Sequence, residues 1–232
     1  DWDILSVETT SHDYLWSGGV DTDGNVYVAS THWDGYSTNW WLKSFDRNGN
    51  EDTSNWNKQV DHGDTHEKPY GTCVDQNDDV YFVGQIKTSG DFGAGIYKYD
   101  TSGQELWNAQ INDAGVAEVL YACDTDASGN LYATGSIEEG SEPRDLWIKK
   151  YDSSGNEVTS GWPKRISNSD GDFVGRGIQV ADNGTILVVG QIEDGTDFDW
   201  FVNAYDTDGS LIAEKRYDSG NGNDFARAVD SF

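Results

Sequence analysis

The sequence predicts an all-β fold, a β-propeller of four-stranded antiparallel blades, and two repeat markers support this prediction. Hydrophobic runs begin at Val26, Val80, Leu131 and Ile186, and Asp-x-x-Gly elements begin at Asp46, Asp100, Asp152 and Asp206. Both markers recur every 51 to 55 residues along the 232-residue chain. Repeats of about this length that are built from short strands are typical of propellers. We therefore expect one domain whose full repeats span about 13–66, 67–117, 118–172 and 173–223.

Each repeat is predicted to contain four short strands, A to D, joined by polar turns. In the second repeat these strands are about 70–74, 80–84, 95–99 and 105–111. Most turns after strands A and C combine Asp with a following Gly, as in Asp46–Gly49. Asp accepts main-chain hydrogen bonds and Gly adopts a positive φ, so both residues favour tight turns.

A Trp that recurs in strand D predicts how neighbouring blades pack. It occurs as Trp2, Trp56, Trp107 and Trp162, and the fourth repeat has Ala213 instead. A large aromatic side chain buries much apolar area. We therefore expect these Trp residues to lie between blades, and we expect a weaker junction at Ala213.

The chain begins and ends partway through a repeat. Residues 1–7 match a strand D, and residues 224–232 match a strand A. These partial strands predict four to five blades, or a fragment of a larger propeller. An open sheet edge pairs readily with another strand. The termini therefore also predict self-association with a neighbouring chain, or an irregular closing blade.

The third repeat carries two motifs in full. They read GNLYATG at Gly129–Gly135 and WIKKYDSSG at Trp147–Gly155. These motifs resemble the bacterial and archaeal surface-protein propeller repeats, the seven-bladed β-propeller repeat group. The Asp-x-x-Gly…Trp segment is also similar to the Trp-docking element of quinoprotein-type propellers. The resemblance implies an extracellular or cell-surface adhesion module, and it concerns architecture rather than activity.

The charge balance limits the classes of partner. The chain has 42 acidic and 15 basic residues, for a net charge of −27. Nucleic acids and anionic membranes require a basic surface, so neither is an expected partner. No apolar run approaches the roughly 20 residues that span a membrane. A protein or a glycan remains as the expected partner, and the acidic surface also favours solubility.

The two cysteines lie in equivalent strands of successive repeats. Cys73 and Cys123 are displaced by one position relative to the repeat. Side chains alternate along a strand, so these two should point to opposite sheet faces. We expect two buried thiols rather than a disulfide bond.

Several side chains outside the Trp register are candidates for ligand binding. Exposed aromatic rings stack on sugar faces, and nearby carboxylates accept hydroxyl protons. The predicted ligand-binding residues are Trp16, Trp33, Asp34, Tyr36, Asp64 and His66. The alternative for the aromatic members is packing at the end of the first blade.

No cofactor is expected, although the acidic loops leave calcium as a possible ligand. His62 and His66 have acidic neighbours, but their spacing suits a metal site on a helix and this segment is a loop. Asp21–Asn25 is similar to the start of a calcium loop, yet it lacks the late bidentate carboxylate and fits a hairpin turn.

No catalytic residues are predicted, because the sequence has no Gly-x-Ser-x-Gly elbow and no Cys/His pairing. The expected function is a non-catalytic extracellular propeller that acts as a structural, adhesive or protein-interaction module. A lectin-like carbohydrate-binding propeller is the alternative, and a propeller enzyme that acts on polysaccharide ranks third.

Overall fold

The protein forms four separate antiparallel sheets of four strands each, which we call blades one to four. The structure is a computed structural model and describes residues 13–33, 35–62, 66–88, 91–220 and 222–230. No helix occurs in these ranges. The all-β, propeller-like fold predicted from the sequence is therefore confirmed.

The strands follow the chain in order within each blade. Blade one contains β1 (Tyr14–Val20), β2 (Val26–Trp33), β3 (Thr38–Phe45) and β4 (Asn57–Val60). Blade two contains β5 (Lys68–Val74), β6 (Val80–Thr88), β7 (Asp91–Tyr99) and β8 (Glu105–Ile111). Blade three contains β9 (Val116–Thr125), β10 (Leu131–Glu139), β11 (Asp145–Tyr151) and β12 (Lys164–Ile166). Blade four contains β13 (Phe173–Val180), β14 (Ile186–Glu193), β15 (Phe198–Tyr205) and β16 (Leu211–Tyr217).

The first strand of each blade lies on the inside of the arrangement. β1 contacts β5, β5 contacts β9, and β9 contacts β13. The segment 222–230 runs beside β13, where the Cα atom of Ala228 lies 3.0 Å from the Cβ position of Gly177, but it forms no strand. The predicted partial strand at residues 1–7 lies outside the described residues. Among those described, there is no helix of a length and apolarity that could cross a membrane.

The Asp turns have the expected geometry, and Asp46 shows it clearly. Its Oδ1 accepts hydrogen bonds from the main-chain N–H groups of Asn48 (2.8 Å) and Asn50 (2.9 Å), and its Oδ2 accepts one from Asn50 Nδ2 (2.8 Å). Gly49 completes the turn with a φ of 87°. The hydrogen bonds with Asn50 lower the pKa of the Asp46 carboxyl. Asp21 accepts the same set of hydrogen bonds from Asp23 and Asn25.

The recurring Trp joins each blade to the next. Trp56 is buried between Tyr27 of its own blade and Tyr99 of blade two, with ring centroids 4.8 and 5.7 Å away. Its Nε1 donates a hydrogen bond to the Thr101 carbonyl, in the Asp-x-x-Gly turn of blade two (2.8 Å). The indole therefore packs and hydrogen bonds across one blade junction.

The same arrangement recurs at the next two junctions. Trp107 donates to the Ser153 carbonyl (3.2 Å), and Trp162 donates to the Thr207 carbonyl (3.1 Å). Trp162 is buried, as predicted, whereas Trp107 is only partly buried. Trp107 differs because it lies inside strand β8, seven residues after its turn Asp rather than ten.

Blade four lacks the whole set of residues that supports this junction. In blades one to three, the Tyr of strand B that packs on the Trp also donates its hydroxyl proton to the preceding turn Asp. These pairs are Tyr27–Asp21, Tyr81–Asp75 and Tyr132–Asp126. The equivalent residues of blade four are Ala181, Leu187 and Ala213. The substitution of Trp by Ala is therefore accompanied by loss of both supporting polar groups.

Cys73 and Cys123 form a disulfide bond, with their Cα atoms 5.8 Å apart, so the prediction of two free thiols was wrong. The two cysteines belong to β5 and β9, which lie in neighbouring blades rather than in one sheet. Neighbouring blades stack with opposite faces in contact. A one-residue offset, which turns two side chains to opposite faces of equivalent strands, is therefore what allows them to meet.

Truncation of the buried Trp residues should be strongly destabilising. We expect Trp56→Ala to lower the free energy of unfolding by about 3–5 kcal/mol, because it removes a buried aromatic side chain and leaves a cavity. Trp107→Ala should cost less, because part of this indole remains in contact with solvent. Urea unfolding measures both, and Leu211→Ala at an exposed site serves as the control. Equal midpoints for Trp56→Ala and wild type would contradict the role in blade packing.

Loss of the disulfide should also lower stability. We expect Cys73→Ala/Cys123→Ala to reduce the free energy of unfolding by about 2–4 kcal/mol, because a crosslink between residues 50 positions apart restricts the unfolded chain. Reduction of the wild-type protein should produce a similar loss, and the double variant should not respond to reductant. A wild-type midpoint that is insensitive to reductant would contradict the prediction.

Candidate functional site

Each inner strand contains a β-bulge at the same place in the repeat. In all four blades one residue is skipped in the register between strands A and B. The skipped residues are Trp16, Tyr70, Tyr121 and Arg176. A bulge turns its side chain away from the regular alternation of the strand. We call these four residues the axial row.

A glycine in strand B makes room for the bulge in three of the blades. In blade three, a Cβ on Gly135 would lie 1.8 Å from the carbonyl oxygen of Val119. Gly84 and Gly190 occupy the same position in blades two and four, with equally short distances to the inner strand. A side chain at these three positions would clash with the inner strand, whereas blade one has Ser30 at the equivalent position.

The axial row forms a continuous set of ring contacts across the blades. The ring centroids of Trp16 and Tyr70 are 5.0 Å apart, and those of Tyr70 and Tyr121 are also 5.0 Å apart. The guanidinium carbon of Arg176 lies 4.3 Å from the Tyr121 ring centroid. Arg176 Nε also donates to Gln191 Oε1 (3.3 Å), which holds the guanidinium in place.

Three members of the axial row, Tyr70, Tyr121 and Arg176, line a cavity of about 270 Å³ between the inner strands. Arg227, in the segment that follows blade four, also lines this cavity. The cavity is narrow because small residues allow the inner strands to approach closely: a Cβ on Gly71 would lie 3.0 Å from the Cα atom of Ala122. Among the described residues that line it, two are Arg and none is Asp or Glu. In a chain with a net charge of −27, this is a locally cationic, aromatic site.

Burial controls the protonation of one member of the row. Removal from water raises the pKa of Tyr70 to about 12; Tyr121 contributes to this increase and Arg176 opposes it. Tyr70 therefore holds its hydroxyl proton more tightly than an exposed tyrosine does, and it can donate this proton in a hydrogen bond to a ligand.

In blades two and three, an acidic residue stands three positions before the axial-row residue, near the start of the inner strand. Glu67 is fully buried, and its Oε1 lies 2.8 Å from His62 Nδ1. His62 Nε2 lies 2.8 Å from the hydroxyl oxygen of Tyr97, which completes a chain of three polar groups. Both ring nitrogens of His62 are thus engaged by protein groups rather than directed to a metal site with His66.

Glu118 occupies the same position in blade three as Glu67 in blade two. It is fully buried, and its Oε1 accepts a hydrogen bond from the Asp113 main-chain N–H (3.1 Å). Burial raises the pKa of its carboxyl to about 7. Its Oε2 has no hydrogen-bond partner among the described residues.

The described members of the predicted ligand-binding group lie on different elements. Trp16 belongs to the axial row, whereas Trp33 and Tyr36 lie at the connection between β2 and β3. His66 is exposed and has a φ of 83° in the loop before β5. Asp34 and Asp64 lie outside the described residues.

Sequence reasoning missed Tyr70, Tyr121 and Arg176, although the repeat contains a signal for them. Each stands 14 residues after a docking Trp, at the same spacing as Trp16 from Trp2. Arg227 stands 14 residues after Ala213, the position equivalent to the docking Trp. The strict spacing indicates that these five residues occupy equivalent positions of the repeat.

No protein-family model and no curated protein sequence matches the chain. Solved structures do match it. A periplasmic gluconolactonase from Pseudomonas aeruginosa gives a TM-score of 0.55 at 10% identity, over 88% of this chain and 57% of its own. An ulvan lyase from a new polysaccharide lyase family, bound to GlcA(1-4)Rha3S, gives a TM-score of 0.52 at 12% identity, over 88% and 56%. The chain thus spans a little over half the length of these structures, and the likeness shows a shared propeller-like fold.

These comparisons correct the expected function. The sequence predicted a non-catalytic structural, adhesive or interaction module, with a lectin-like binder as the alternative and no enzymatic activity. The matching structures are instead enzymes that act on sugars, a gluconolactonase and ulvan lyases. The sequence pattern misled because the repeat motifs describe blade packing, whereas the axial residues occur once per blade and belong to no recognisable catalytic motif.

Glu118 should make stability depend on pH. Its pKa in the folded protein, about 7, lies above the ordinary value of 4.5. The folded state therefore binds more protons than the unfolded state in this window, and stability falls as the pH rises through it. We expect Glu118→Gln to be more stable than wild type at pH 8, by at least about 1 kcal/mol. Urea unfolding at pH 5 and pH 8 measures the difference, with the exposed Glu142→Gln as control; equal pH dependence in all three proteins would contradict this role.

Proposed function

We propose that the protein acts on an acidic polysaccharide at the axial row, as a lyase that cleaves next to a uronate. The observation that carries this proposal is the row itself: three aromatic rings in contact, ending in an Arg held 4.3 Å above Tyr121. Aromatic rings stack on the apolar faces of sugars. Guanidinium groups bind carboxylates with two parallel hydrogen bonds.

The charge of the cavity favours an anionic sugar. Arg176 and Arg227 both line it, and no described lining residue is acidic. The positive charges of these two residues would neutralise a bound carboxylate. Hydrolysis by a pair of carboxylic acids requires that the pair flank the scissile bond. No described residue that lines the cavity is Asp or Glu, so this mechanism is not supported.

The same residues suit β-elimination. In this reaction the C–H bond beside the uronate carboxylate breaks, its electrons form a carbon–carbon double bond, and the bond to the glycosidic oxygen breaks. Arg176 binds the carboxylate and stabilises the negative charge that develops there. Tyr121, beside Arg176, would accept this proton after losing its own hydroxyl proton to solvent, and Tyr70 holds a proton that it can donate to the departing oxygen.

The proposed setting is outside the cytoplasm, in the periplasm or secreted. The Cys73–Cys123 disulfide supports it, since such bonds persist in oxidising compartments. We further propose that the four blades belong to a seven-bladed ring, as the repeat motifs imply.

The proposed activity is tested with uronate-containing polysaccharides, following the ultraviolet absorbance of the unsaturated product. We expect Arg176→Ala to lower kcat/KM by about 100-fold or more, because it removes the group that stabilises developing charge. Tyr121→Phe should lower kcat with little change in KM.

Arg165→Ala serves as a matched control, since Arg165 pairs with Asp145 on the outer part of blade three. It should retain wild-type activity. No unsaturated product from any uronate polymer, or turnover of a sugar lactone alone, would overturn the lyase proposal.

A further inference from the structure

Three carboxylates of blade four converge at the end of the sheet that carries the B–C and D–A connections. Asp197 precedes β15, Asp199 lies within it, and Asp218 follows β16. One oxygen from each lies within 4.8 Å of the others. Asp199 is buried, Asp197 is partly buried and Asp218 is exposed, so the group opens to solvent on one side.

Asp199, a member of this group, has one unsatisfied carboxylate oxygen. Its Oδ2 accepts a hydrogen bond from Arg216 Nε (2.7 Å), but its buried Oδ1 has no hydrogen-bond partner among the described residues. An unpartnered buried carboxylate oxygen is costly unless a cation or donor satisfies it. Arg216 supplies one positive charge against the three carboxylates, and its Nη2 also approaches Asp194 (4.0 Å). The group therefore keeps an excess of negative charge.

Blade three provides an internal comparison. Asp145 and Arg165 occupy the positions of Asp199 and Arg216, and they form the same ion pair (2.6 Å). The positions of Asp197 and Asp218 are taken by Pro143 and Ser167. The Asp–Arg pair is thus a repeated part of the blade, whereas the two additional carboxylates are specific to blade four. Packing of the repeat does not require them.

We propose that Asp197, Asp199 and Asp218 bind a calcium ion. Calcium takes oxygen ligands at about 2.3–2.6 Å, so two oxygens on opposite sides of one ion are about 5 Å apart. Oxygens that lie within 4.8 Å of one another suit this distance. Magnesium demands shorter bonds and stricter octahedral geometry, and the soft transition metals prefer nitrogen or sulfur ligands.

The ion would stabilise the position of the segment that follows Asp218 and leads to the axial cavity. The chain after Asp218 returns to the start of β15, where Asn223 Oδ1 accepts a hydrogen bond from the Phe198 N–H (3.0 Å) and Asp224 N–H donates to the Phe198 carbonyl (2.5 Å). Three residues later, Arg227 lines the cavity. Calcium at Asp218 would join both ends of this connection to blade four. The site itself does not depend on the proposed lyase activity.

Terbium, which replaces calcium at oxygen sites, gives a direct test. Trp200 and Tyr217 are chain neighbours of Asp199 and Asp218, and their rings stack with centroids 5.3 Å apart. Excitation of these rings should therefore sensitise terbium emission. In buffer of physiological ionic strength we expect saturable emission that calcium displaces and that magnesium displaces at least tenfold less effectively. Trp200→Phe should reduce the emission without moving the midpoint of calcium competition.

Asp218→Ser, which gives blade four the residue of blade three, should weaken terbium and calcium binding at least tenfold. Asp182→Ser removes the same charge from an exposed turn at the other end of blade four and should change affinity less than twofold. Calcium should raise the melting temperature of wild type and of Asp182→Ser, but not that of Asp218→Ser, and all three should melt together in chelator.

Two results would overturn the calcium site. One is the absence of saturable terbium binding to the wild-type protein. The other is calcium binding by Asp218→Ser that equals that of Asp182→Ser, which would assign the signal to the general acidity of the surface. A lower melting temperature of Asp218→Ser than of wild type in chelator would mean that the substitution itself destabilises the fold. Asp197→Asn would then be used instead, and calcium binding by that variant with wild-type affinity would also overturn the proposal.

Discussion

Face-to-face packing between blades is the interaction on which the rest of this structure depends. Among the described residues the four sheets share no main-chain ladder, so ladder hydrogen bonds hold each blade together but do not join one blade to the next. That task falls to side chains. At each described junction an indole is packed between two Tyr rings and donates one hydrogen bond to a turn of the following blade, as Trp162 does to Thr207. The Cys73–Cys123 bond adds a covalent link at the middle junction.

The same packing sets the geometry of the cavity. Gly71 lies so close to Ala122 of the next inner strand, and Gly177 so close to Ala228 of the segment after blade four, that an added Cβ would be only 3.0 Å from the Cα atom of each neighbour. Strands held at this distance can place only a few large groups around the axis, and the bulges select which ones. The result is a small cationic site in a strongly acidic chain. Charges are screened beyond about 8 Å at physiological salt, so Arg176 and Arg227 can dominate the field inside the cavity despite the net charge outside.

Much of the fold could be predicted from the sequence, because the period, the turn Asp residues and the docking Trp residues act locally and repeat. The site could be predicted only in part. Trp16 was found because it departs from the Trp register, but Tyr121 and Arg176 differ in type, and only their spacing reveals that they are equivalent. The alternation of side chains along a strand also gave a wrong prediction for Cys73 and Cys123. It indicates which face of a sheet a side chain occupies, but it does not indicate which faces of neighbouring sheets are in contact. Asp197 and Asp199 lie two residues apart at the start of β15, but Asp218 follows β16, and no local pattern in the sequence brings it to them.

The bulged position has a consequence for how such a protein can change. Each blade contributes one side chain to the axis, and that side chain is supported by its own strand and by the glycine or serine opposite it. The docking Trp, its Tyr partners and the turn Asp all lie elsewhere in the blade. A substitution at one bulge can therefore alter ligand preference without disturbing a junction. Duplication of blades followed by single changes at this position would generate new combinations of aromatic and charged groups, one blade at a time, on a scaffold that stays the same.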